Sequence, residues 1–139
     1  MDSEFDCKAT AAVLRSGTAV ALAGHAAALM SVLAAGTDAR TAWIAILALL
    51  DWCVVVYLAI RVRIDAGFFE LLAGHPPEPL DEWLKATGLR AGTPPRTMAD
   101  RRSGALRLWR RLVIAVVVQI GLLVASLLWM AIHKTRLDS

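Results

Sequence analysis

The sequence predicts an all-α integral membrane protein with three transmembrane helices. The first two form an antiparallel hairpin, and the third is long and follows an amphipathic cytoplasmic loop. Three observations predict this. Hydrophobic residues make up 58% of the 139 positions and charged residues 19%, a balance that water-soluble domains rarely show. Ser16–Gly36, Ala42–Ile60 and Leu112–Ile132 each approach the ~20 apolar residues that cross a bilayer, and Asp51 is the one fixed charge among them. Basic residues are also one-sided. Twelve lie before the first span or between the second and third, while Arg40, Lys134 and Arg136 alone lie elsewhere.

That asymmetry sets an expected orientation, because basic residues accumulate on the cytoplasmic side. The N-terminus and the connection before the third span are expected in the cytoplasm and the C-terminus in the periplasm. Arginine outnumbers lysine twelve to three and alanine is abundant. That composition suggests a GC-rich bacterial source and hence an inner membrane. The acidic start, with Asp2, Glu4 and Asp6, does not read as a cleaved signal, which needs positive charge there.

One membrane domain, residues 1–139, is expected. The first span covers about 11–35. Along it Gly17, Ala21, Gly24, Ala28, Ser31 and Ala35 recur every three to four residues, a small-residue seam that lets helices approach closely. Gly36 and Asp38 mark a turn. The second span covers about 42–64, and the helix can extend to 73 before Gly74, Pro76 and Pro77. The loop covers about 65–104. Within it, residues 80–87 predict a short helix, with Leu80, Trp83 and Leu84 on one face and Gly88 at its end. Thr97 and Asp100 fit a capping box that opens a helix running unbroken past the third span, about 106–132.

Two groups could carry chemistry. A carboxylate at mid-membrane costs about 2.5–3.5 kcal/mol on insertion scales and needs a partner. For Asp51 that partner is expected to be His25. The two lie nine and ten residues from the turn, so an antiparallel hairpin brings them to nearly equal depth. The pair reads either as a structural clip or as a proton or ion site. The second group is basic: Arg96, Arg101, Arg102, Arg107, Arg110 and Arg111 fall within sixteen residues and suit anionic lipid headgroups or an acidic partner. No nucleic-acid signature accompanies them.

Neither a phosphate loop, a nucleophile elbow nor a metal-ligand spacing is present, so no enzyme, cofactor or metal is expected. Cys7 and Cys53 lie at different depths and are not expected to pair. The expected function is a small non-enzymatic subunit or accessory factor of a larger bacterial inner-membrane complex. The alternative is a homo-oligomeric proton- or ion-linked channel or transporter using Asp51 and His25.

Overall fold

A computed structural model describes residues 2–35, 42–73, 82–83, 86–88 and 97–137. They form three long helices: α1 (Asp2–Ala35), α2 (Ala42–Leu72) and α3 (Met98–Leu137). All three are long and apolar enough to cross a membrane, and each packs on the other two. The chain is an all-α, three-helix membrane protein. The turn at Gly36–Thr41 and most of the predicted 80–87 helix lie outside the described residues. From the latter, the Thr87 amide donates to the Trp83 carbonyl at 3.0 Å. Gly88 follows at φ 69°, the left-handed conformation that glycine adopts most cheaply after a helix.

Packing follows a seven-residue repeat on every helix. Cys7, Leu14, Ala21, Ala28 and Ala35 are buried on α1, with Thr10, Gly17, Gly24 and Ser31 in the intervening row. On α2 the buried row is Ala48, Val55, Val62 and Phe69, and on α3 it is Ala105, Leu112, Gln119 and Ser126. A repeat averaging 3.5 residues keeps one stripe facing inward only if the helices supercoil to the left. Outside this stripe the surface is apolar: Leu22, Leu29, Leu50, Tyr57, Val117 and Leu128 are exposed. That is the arrangement expected where lipid is the solvent.

Gly24 shows how tight the centre is. A Cβ added there would lie 2.9 Å from a Val116 methyl and 3.1 Å from a Val55 methyl. Real Cβ atoms do not approach so closely, so the three backbones meet here because α1 offers no side chain.

The helices outrun the predicted spans. At ~1.5 Å per residue their 34, 31 and 40 residues give lengths of about 51, 46 and 60 Å, against ~30 Å of hydrocarbon. α1 begins at Asp2 rather than near residue 11. Its acidic first turns complement the helix dipole, and Lys8 pairs with Glu4 at 2.6 Å. Within the predicted loop, 65–104, α2 runs on to Leu72 and α3 starts at Met98, where the sequence allows a helical continuation and the Thr97 cap. Burial explains the extension: Cys7, Ala11 and Leu14 pack with Ala66, Phe69 and Ala105 in one cluster, so these segments gain apolar contact only as helices. At the start of α3, the Thr97 hydroxyl accepts the Asp100 amide at 3.2 Å and donates to the Asp100 carboxylate at 2.7 Å. The cap forms, with the acidic side chain returning to the hydroxyl instead of the Thr97 amide.

Candidate functional site

The contacts above set the level of each helix. Gly17 faces Val62, Leu112 and Trp109, while Gly24 faces Val55 and Val116. Asp51 lies one turn beyond Val55 along α2, and Gln119 almost one turn beyond Val116 along α3. They meet near the middle of the uncharged spans. With its amide nitrogen turned toward the surrounding acceptors, Gln119 donates to Asp51 Oδ2 at 2.8 Å and to the Ala48 carbonyl oxygen at 3.1 Å. The reverse orientation would set oxygen against oxygen, so the hydrogen-bond network fixes the assignment. Gln119 is fully buried, at 0% exposure, and Asp51 is half-buried.

His25 does not join this contact. It is half-buried and meets the Trp52 ring edge-on, with centroids 6.0 Å apart, and its Nδ1 has no hydrogen-bond partner. The expected pair of His25 with Asp51 is therefore replaced by Gln119 with Asp51. His25 lies against Trp52, the residue next to Asp51, so the two are close in depth but differ in direction. Successive helical side chains point ~100° apart, which aims Trp52 toward α1 while Asp51 points toward α3.

Gln119 was the residue that sequence reasoning passed over. The signal was present, because Gln119 lies seven residues after Leu112 and seven before Ser126, on the inward row. A side-chain amide in that row must find a partner, and a lone carboxylate on the neighbouring helix needs a donor. The remaining intramembrane hydroxyls serve their own helices: Ser31 donates to the Ala27 carbonyl at 2.7 Å and Ser126 to the Leu122 carbonyl at 2.8 Å. Asp51 can bind a proton, but no second titratable group is hydrogen-bonded to it among the described residues.

All six seam residues, Gly17, Ala21, Gly24, Ala28, Ser31 and Ala35, are buried within the chain. The seam therefore receives α2 and α3 and is not left open to a neighbour. Of the basic group, Arg96 lies outside the described residues. Arg102 pairs with Asp6 at 3.3 Å, Arg101 is half-buried, and Arg107, Arg110 and Arg111 are exposed on the outer side of α3. Arg15 on α1 and Arg61 and Arg63 on α2 are also exposed and, with Arg107, Arg110 and Arg111, lie within a few residues of the Gly17 level. Both cysteines are free, Cys7 buried and Cys53 exposed. Among the described residues no cluster of histidine, cysteine and carboxylate side chains could hold a metal.

No family model, curated protein or solved structure matches this chain.

Proposed function

We propose that this chain is a small non-enzymatic subunit or accessory factor of a larger bacterial inner-membrane complex. Its N-terminus and basic end would lie in the cytoplasm and its C-terminus in the periplasm. The observation that carries this reading is the Asp51–Gln119 contact. It ties α2 to α3 inside the bundle, and the hydroxyls of Ser31 and Ser126 are taken up by their own backbones. The Asp51–Gln119 contact joins two helices, and among the described residues these groups give an ion no continuous polar file to follow. With the seam used internally, a neighbour would meet the apolar outer surface or the exposed arginines of α3, which also suit anionic headgroups.

Purification of the tagged chain in mild detergent tests the proposal. A larger membrane protein that co-purifies in fixed proportion is the expected result. A closed homo-oligomer that passes ions in liposomes would overturn it and favour the second reading, a proton- or ion-linked channel. One observation favours that second reading: the buried Nδ1 of His25 lacks a partner and lies about one turn in depth from Asp51. Orientation is tested separately, by a reporter fused after Ser139 and another inserted near Gly92. The first should be active only as a periplasmic type and the second only as a cytoplasmic type.

A further inference from the structure

We infer that the cleft between α1 and α2 at the basic end binds the headgroup of an anionic phospholipid. The cleft has a volume of about 500 Å³ and includes Arg15, Thr18, Arg63 and Glu70 in its walls, within the ~300–1,000 Å³ usual for ligand sites. Its shape follows from where the helices touch. At Gly17 the two are closed, since an added Cβ would lie 3.1 Å from Val62. Five residues further along α2 the cleft is open at its outer edge, where Gly67 is exposed and a Cβ on it would meet nothing within 4 Å.

The charges are arranged for an anion. Glu70 accepts from Arg15 Nε at 2.6 Å, which fixes that side chain at the cleft wall and leaves its terminal nitrogens unused by this bond. Arg63 has no ion-pair partner among the described residues. Two guanidinium groups against one carboxylate leave the cleft with a net positive charge. Guanidinium forks match phosphate oxygens in geometry as well as in charge.

Position selects a lipid over a soluble phosphate. Arg15 immediately precedes the uncharged stretch of α1, and Arg63 lies three residues past that of α2, so both stand where headgroups begin. Thr18, Leu22 and His25 then follow at helical spacing down the same side of α1. Leu22 is exposed, and the His25–Trp52 contact crosses between the helices below it. A phosphate held by Arg15 and Arg63 would place its acyl chain along this apolar shelf. The inference holds whether the chain serves a partner or conducts ions.

The test uses the full chain, delipidated in detergent and titrated with lipids under native mass spectrometry. Phosphatidylglycerol should be retained as a single tightly held lipid, and phosphatidylcholine should be held roughly tenfold more weakly for want of net charge. Arg63→Gln should weaken phosphatidylglycerol retention roughly tenfold, the effect of losing one charge-assisted contact. Gly67→Leu should do the same by filling the cleft, and circular dichroism would verify that its helices persist. Arg110→Gln, on the outer side of α3 and away from the cleft, should weaken retention far less than Arg63→Gln. Equal losses in Arg63→Gln and Arg110→Gln would overturn the site in favour of a diffuse basic belt. Displacement of the lipid by glycerol phosphate at equal concentration would overturn the lipid as its ligand. If Gly67→Leu loses its helices, the contrast between Arg63→Gln and Arg110→Gln decides alone.

Discussion

The same three helices are held together differently at their two levels. Around Gly24 the bundle is close-packed: valines from α2 and α3 meet the bare backbone of α1, and one buried amide answers one carboxylate. Around Phe69 and Met98 the helices leave a largely apolar cavity of about 390 Å³ beside the buried cluster that includes Cys7, Phe69 and Ala105. There ion pairs add ties at the exposed edge, Arg15 with Glu70 and Arg102 with Asp6. The contrast follows from the surroundings. In hydrocarbon there is no hydrophobic drive to associate, so close packing and satisfied polar groups must supply cohesion. Beyond the headgroups water returns, apolar burial again favours association, and looser packing with charged edges is tolerated.

If this division is right, the largest loss should come from the close-packed level. Gly24→Leu forces a side chain into space already held by Val55 and Val116. Its cost should reach or exceed the upper end of the about 1–3 kcal/mol typical of overpacking, read as reversible unfolding in mixed detergent. Gly121→Leu makes the same change where nothing lies within 4 Å and should be close to neutral. Equal costs would show that the space at Gly24 is no tighter than the outward surface at the same level.

Next in size is the polar contact. Asp51→Ala leaves the buried amide of Gln119 without its carboxylate, a loss of about 1–3 kcal/mol for an orphaned group. Replacing both, with Gln119→Leu as the second change, should recover much of it, because removing a buried pair whole is often nearly neutral. His25→Ala should instead add independently to Asp51→Ala. A strong coupling of His25 with Asp51, and none of Gln119, would restore the pairing within the hairpin.

Smaller effects are expected at the charged end. Thr97→Ala removes the cap of α3 and should cost about 1 kcal/mol, seen as fraying of its first turns in amide exchange. Glu70→Gln breaks a half-exposed ion pair and should cost at most about 1 kcal/mol, shrinking further in concentrated salt. A loss at Glu70 matching that at Asp51 would show that the rim pairs are as protected from solvent as the membrane contact.

Much of the fold was legible in the sequence because lipid imposes simple rules. Uncharged length gave the three spans, and the spacing from Gly17 to Ala35 gave the buried face of α1. The extent of the helices was less legible. Asp2–Thr10 is not apolar enough to announce itself, and it becomes helical through contacts with α2 and α3, which are distant in sequence. The polar contact was half legible. Counting residues from a turn estimates depth well, yet the direction of a side chain turns by ~100° at each step. Asp51 shares its face with Ala48, Val55 and Leu58, all buried, and that face looks to α3 as well as to α1. Choosing between the two required knowing where α3 lies.

α3 has one more consequence. It runs from Thr97's cap to Leu137 with no proline to bend it, so it behaves as one stiff rod about 60 Å long. Arg107 and Gln119 lie twelve residues apart on that rod, about 18 Å. The arginines at the membrane surface and the amide that answers the buried carboxylate therefore belong to one unbroken helix, and any displacement of α3 as a whole would shift Gln119 against Asp51.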